Sequence, residues 1–364
     1  MYSRNIVIWL FGFSVASLAA SQGNGAEPPK PVHQFELPFA DGKSKVLDGW
    51  VGFSPKGNRL AAYYTLGEKS YIAIWDPVSG KLLDKFQVAL GVTTTSHGPP
   101  ANFASDGSYL GYLTRDELCF HPLVPDLKPQ VKSFVNPTKA LDPVHDSLFF
   151  SSDGKVVKIL KYSVSDERLC LWEGRVAFPI QFKSIENRLL SRARRFALSS
   201  DLGLIACAQV PDPSTEGDQP RTIHLLKIGA MGRKLTTAKA SNDFSALAFS
   251  TDSKFLASGS IDGSLVLWDI QKGSERFIIP LPVKGCSVST IAFNPAGSWL
   301  AYGSLDRNTL PNVRLFSLKT GKVEQAWADN TWATICLCYS PSGQYLAVLG
   351  GTGVNVYDLG ERQQ

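Results

Sequence analysis

One short pattern recurs along the chain and limits what it can fold into more than any other feature. An apolar residue ends one run, a turn rich in Ser, Pro, Asp and Gly follows, and a second apolar run comes after it. The copies are FSPKGN at Phe53, FASDGS at Phe103, FSSDGK at Phe150, LSSDLG at Leu198, FSTDSK at Phe249, FNPAGS at Phe293 and YSPSGQ at Tyr339. Their spacings are 50, 47, 48, 51, 44 and 46 residues. Apolar runs joined by such turns mark antiparallel hairpins, because Asp and Ser bond to the turn backbone and Gly accepts its conformation. The second runs are RLAAYY, YLGYLT, VVKILKY, LIACAQV, FLASGS, WLAYGS and YLAVLG. A third run follows, as in YIAIWDP, RLCLWEG, SLVLWDI and GVNVYDL, and a fourth completes several copies, as in VSGKLLDKF and KTGKVEQAW.

A period of 44 to 51 residues with about four strands in each copy is the signature of propeller blades. The expected fold is all-β, a seven-bladed β-propeller that fills residues 32–359 as one domain, with 360–364 as a tail. The seventh copy is short, since only GERQQ follows GVNVYDL. The stretch VHQFEL, Val32 to Leu37, supplies a strand for its open edge and so closes the last blade. Closure removes an unpaired edge that would otherwise template aggregation.

With 364 residues, 44% hydrophobic and 19% charged, the chain has ample apolar material for such a ring. Its formal charge of +5 is mild for this length and falls short of the clustered basicity that nucleic-acid binding needs. At the N-terminus, MYSRN carries one positive charge and IVIWLFGFSVASLAA runs apolar from Ile6 to Ala20, the pattern of a secretory signal peptide over residues 1–20. As a helix these residues rise about 22 Å, short of the roughly 30 Å hydrocarbon core. Residues 21–31 read as a disordered spacer. The expected protein is secreted or periplasmic, with no membrane span once the leader is cleaved, and a monomeric fold. Cys119, Cys170, Cys207, Cys336 and Cys338 sit in apolar strand patterns and read as buried small hydrophobes. Cys336 and Cys338, two apart on one strand, are poorly spaced for a disulfide, although one cross-blade pair stays open.

The stretch LASGSIDGSLVLWDI resembles a WD40 repeat, with Trp268-Asp269 as the eponymous dipeptide and Trp75-Asp76 repeating it in the first blade. The resemblance covers about residues 32–359, strongly in blades one, five and six. It implies structural roles for Trp75, Asp76, Ser258, Asp262, Trp268 and Asp269. The family's Gly-His dipeptide is absent, because His33, His97, His121, His145 and His224 follow Val, Ser, Phe, Val and Ile. The family's His–Ser/Thr–Asp–Trp network is therefore expected to keep only Ser258, Asp262 and Trp268, in blade five. TolB-like propellers share the Ser-Pro-Asp-Gly turn, but strands that end in Trp-Asp and lead to Gly-Lys favour the WD40 side.

No GxSxG, HExxH, P-loop or CxxCH pattern is present, and no cofactor or metal is expected. Asp116, Asp166, Asp262 and Asp306 recur at the turn between second and third strands, where an Asp serves the turn backbone better than a metal. His121 reads as a strand residue. Irregular loops, by contrast, gather on one face: GVTTTSHGPPAN, VPDPSTEGDQPRT, SLDRNTLPNV and the basic stretch KSIENRLLSRARRF. Loop variation on a rigid scaffold is where binding resides. Arg188, Arg192, Arg194, Arg195, Asp212, Glu216, Asp218, Asp306 and Arg307 are the expected contacts for a protein partner. The leading expectation is a non-enzymatic interaction platform. The alternative is a small-ligand-binding or lactonase-like propeller with its site at the channel mouth, where Arg195 is one candidate. Glycan binding would need exposed aromatics on the loop face, for which Trp327 and Trp332 are the candidates.

Overall fold

The computed structural model describes residues 28–360 except 41–44, 47, 89–99, 115–116, 134–144, 152, 164–167, 176–181, 188–192, 210–220, 228–232, 238–243, 280–286, 305–310 and 330–332. The described residues form strands and turns in seven four-stranded antiparallel sheets. In blade 1 the order runs from the inner strand Gly49–Phe53 through Leu60–Leu66 and Lys69–Trp75 to the outer strand Leu82–Val88. The inner strands of blades 2 to 7 are Ala101–Phe103, His145–Phe150, Ala193–Leu198, Phe244–Phe249, Val288–Phe293 and Thr334–Tyr339. Inner strands meet between blades 1 and 2, 2 and 3, 4 and 5, 5 and 6, and 6 and 7, and that of blade 7 meets that of blade 1. The fold is a seven-bladed β-propeller.

Burial explains why the second strands are nearly continuous in apolar residues. Leu60, Ala61, Ala62, Tyr63 and Tyr64 are all fully buried, since each blade covers both faces of its middle strands with its neighbours. A strand buried on both faces has no solvent side to alternate towards. Among the described residues the core divides into seven clusters, one in each seam between blades. Close approach across two seams depends on glycine. A Cβ on Gly259 would lie 2.5 Å from Val288 Cγ1, and one on Gly303 would lie 2.3 Å from Thr334 Cγ2.

Blade 7 takes its outer strand from the N-terminal part of the chain. Pro31–Glu36 pairs antiparallel with Gly353–Asp358, matching Gln34 to Asn355 and Phe35 to Val354. Phe35 is buried and its ring lies 5.2 Å from that of Trp75, so this strand also seals the seam to blade 1. The expected leader, residues 1–20, lies outside the described residues, as does most of the spacer. Among the described residues no helix is long and apolar enough to cross a membrane.

The recurring sequence turn is one structure built seven times. In blade 1, Ser54 N donates to Arg59 O (2.9 Å) and Gly57 N donates to Ser54 O (2.8 Å), and the same pair recurs at Ala104, Ser151, Ser199, Ser250, Asn294 and Ser340. Where Ser opens the turn, its Oγ also accepts from the amide five residues on, as at Val156 (2.9 Å), Leu204 (2.8 Å) and Phe255 (2.9 Å). The residue three beyond the opening one has positive φ. Five blades place Gly there, but blade 4 has Leu202 (φ 57°) and blade 5 has Ser253 (φ 57°). A side chain in this region crowds the following carbonyl. Leu202 offsets the strain by burying its side chain among Leu198, Ile205 and Leu226.

Ser253→Gly is expected to raise stability by up to about 1 kcal/mol, seen as a higher urea midpoint. Leu202→Gly gains nothing, because the lost burial costs about 1.5–3 kcal/mol. An unchanged or lower midpoint for Ser253→Gly would contradict the strain assigned to this turn.

Candidate functional site

An antiparallel blade sends its first-to-second and third-to-fourth turns to one face of the ring. The second-to-third loops and the connections between blades go to the other. The first-to-second turns of this first face, where described, are tight and their polar groups are consumed locally. The Ser151 hydroxyl and Lys155 amide hold the Asp153 carboxyl below the usual carboxylate range, and Ser199 and Gly203 do the same at Asp201. Arg59 extends from this face of blade 1 to donate to Leu123 O of blade 2 at 2.7 Å.

Most residues singled out for binding lie outside the described residues: Arg188, Arg192, Asp212, Glu216, Asp218, Asp306 and Arg307. Asp116, Asp166 and Trp332 also lie outside them. Arg194 and Arg195 are on the inner strand of blade 4. There the pairing skips from Ala193 opposite Gln209 to Arg195 opposite Ala208, which leaves Arg194 as a bulge. Arg195 donates from Nε to Ser245 O of blade 5 at 2.8 Å, so its guanidinium ties two blades together.

The bulge at Arg194 is one of a set. Ser245, Ser289 and Ile335 occupy the same skipped position in blades 5, 6 and 7. An unpaired bulge residue is free to redirect its side chain, and the two serines use it to reach across the seam. Ser245 Oγ donates to Val288 O at 2.6 Å and Ser289 Oγ donates to Thr334 O at 2.5 Å. Thr290 Oγ1 accepts from Leu337 N at 3.1 Å. The hydroxyls that the inner strands might offer to a channel ligand are thus used between blades.

A buried polar network joins blades 6 and 7. Asp329, on the connection between them, is only 2% exposed. Its Oδ1 accepts from Asn355 Nδ2 (2.8 Å) and Tyr357 OH (2.6 Å). Asn312 Nδ2 donates to Asp329 O (3.1 Å), and Asn312 Oδ1 accepts from Asp329 N (2.6 Å). Burial, with the Asp329 carboxylate alongside, pushes the Tyr357 hydroxyl far above its ordinary value. Trp327 is buried with its ring 5.1 Å from that of Tyr357, a packing role. The one sequence signal for this network is Asn355, a polar residue inside the apolar strand GVNVYD.

The family model for the WD domain, G-beta repeat, matches residues 232–269 and 280–309. Residues 232–309 carry WD40 repeats. The first match starts at the outer strand of blade 4 and ends at Asp269, in the third strand of blade 5. Within this WD40 unit Trp268 is buried and its Nε1 donates to Ser258 Oγ at 2.9 Å. Asp262 accepts from Ser264 N (2.9 Å) and Ser264 Oγ (2.7 Å), holding the turn. Asp269 accepts from Lys272 N at 2.9 Å and Asp76 from Val78 N at 2.8 Å, while Trp75 packs in the closing seam. These WD-type residues build the scaffold.

Other reactive groups described in the propeller are paired or buried. His121 Nε2 lies 2.9 Å from Asp84 Oδ2 and its ring stacks on Phe86 at 4.6 Å. Burial lowers the His121 pKa despite that carboxylate. Cys119, Cys207, Cys336 and Cys338 form no disulfide, while Cys170 lies on the third strand of blade 3 and Cys286 lies outside the described residues. Burial pushes the thiols of Cys119 and Cys336 up to about 11 and about 12 and raises those of Cys207 and Cys338. Among the described residues no three His, Cys, Asp or Glu side chains gather to hold a metal.

Asp329→Ala strands two buried donors and is expected to cost about 2–4 kcal/mol, whereas Tyr357→Phe costs about 1 kcal/mol. Chemical denaturation of both variants checks the order, and equal losses would contradict it. Since the thiolate is the nucleophile, iodoacetamide at pH 8 should leave Cys119 and Cys336 unmodified in the native chain and label them after unfolding. Peptide mapping of native protein labelled at either position would refute this.

Proposed function

We propose that the protein is an exported, non-enzymatic WD40-type interaction platform whose loop-bearing face binds a protein partner. The observation that carries this reading is that the described polar groups of the scaffold are consumed within it. The described inner-strand groups that would serve a channel-mouth reaction, Arg195, Ser245 and Ser289, are engaged in bonds between blades. The irregular and charged segments of the sequence are expected on the loop-bearing face. WD40 propellers are typically protein-interaction scaffolds, and charge complementarity at Arg188, Arg192, Arg194, Asp212, Glu216 and Asp218 would aid selection of the partner.

The seam bond of Arg195 decides how the reading is tested. A variant that includes Arg195 would disturb the joint between blades 4 and 5, so the test uses Arg188, Arg192 and Arg194 replaced together by Glu. Cross-linking capture from envelope and secreted fractions, with the chain begun after Ala20, should recover a discrete partner with the native sequence. It should lose that partner with the variant at an unchanged melting temperature. Equal capture by both chains would sink the assignment of this face.

A further inference from the structure

The connection from the closing strand to blade 1 carries a feature outside the repeats. Leu37 and Val46 are buried, and Val46 N donates to Gly351 O at 2.9 Å, so both ends of the connection are fastened. Tyr64 OH donates to Pro38 O. Between these anchors Phe39 has φ 70° and remains 51% exposed. A bulky aromatic in this region is a genuine backbone outlier. Leu202 and Ser253 have positive φ within the seven-fold repeated turn, whereas Phe39 takes it in a separate turn that Ala40 N closes by donating to Leu37 O at 3.2 Å.

The strain sets the ring in a fixed place. Phe39 stacks on Tyr71 (centroids 4.7 Å apart, planes at 22°), and Tyr71 stacks on Tyr64 (5.7 Å, 27°). Lys85 Nζ lies 5.3 Å from the Phe39 ring centroid. Register places Gln87 opposite Tyr71, with Lys85 two residues along the same face and Lys69 two residues before Tyr71. The result is a half-exposed aromatic ring with Lys85 beside it and Lys69 further along the strand that carries Tyr71. Rigid aromatics beside basic groups are the anchors that dominate binding at protein interfaces, and strained residues cluster where surfaces do work.

We propose that Phe39 is the anchor of a docking point for an acidic segment of a partner protein, one that lays an aromatic or aliphatic side chain on the ring and sets carboxylates against Lys69 and Lys85. This rests on the platform reading and names the partner's chemistry. The competing role is a clasp that holds the closing strand to blade 1. One substitution separates the two. Glycine accepts φ 70° without strain, so Phe39→Gly keeps the backbone while removing the ring.

The probe is the capped pentapeptide Asp-Glu-Phe-Asp-Glu, with Lys-Lys-Phe-Lys-Lys as its charge-reversed control, titrated into the full chain at low salt. The acidic peptide is expected to bind saturably and more tightly than the basic one. Phe39→Gly should weaken it at least about tenfold with a melting temperature that does not fall, and Lys85→Glu should weaken it in the same direction. The proposal is overturned if the two peptides bind alike or if Phe39→Gly binds as tightly as the native chain. A fall in melting temperature with unchanged binding would assign Phe39 to the clasp. A partner lost by the Arg188, Arg192 and Arg194 variant but kept by Phe39→Gly would defeat this inference alone. A partner kept by both would defeat the platform reading as well.

Discussion

Everything in this fold depends on the burial of both faces of each blade. A four-stranded sheet with Leu60, Ala62 and Tyr64 on one side and Ala61 and Tyr63 on the other has no solvent face to present. A single blade in water would expose both. The neighbours on either side cover them, and the requirement passes from blade to blade until the ring returns to its start. The N-terminal strand belongs to the same logic, since Phe35 lies in the seam that joins the last blade to the first.

That dependence explains which parts of the structure were legible in the sequence. The repeated turn states its own geometry, because a serine hydroxyl, an acidic or polar acceptor and a residue tolerant of positive φ must occur at set distances along the chain. Seven copies at a period of 44 to 51 residues lead directly to the ring. Trp268 and Ser258 were legible for a related reason, as partners whose spacing the third and second strands of a blade impose.

Bonds that cross seams were not legible. Arg195 read as a candidate contact because it stands in a basic stretch, yet its described bond is to Ser245 O, 50 residues away. Asp329 lies on a connection, and its partners come from two blades. Ser245 and Ser289 owe their roles to bulges, which shift a side chain without altering the residue pattern. Phe39 carried no local signal at all. Its role emerges only when the connection bearing it is laid across blade 1. Periodicity reveals what a strand does within its own sheet, whereas contacts between blades depend on a register set by the ring as a whole.

The pairing of Phe35 with Val354 joins residues 319 positions apart. Chain entropy makes such a contact slow to form rather than prohibitively costly, since each doubling of the loop adds only about 0.6 kcal/mol, while folding rates fall as contacts become less local. The segment synthesised near the beginning is therefore the segment whose partner arrives last. Until the seventh blade exists, the edge formed by Gly353–Asp358 does not exist either, and the closing strand has nothing to pair with. The ring cannot close before its last blade has been made. Its first strand waits for its last, and completion of the final blade is what commits the ring to the native state.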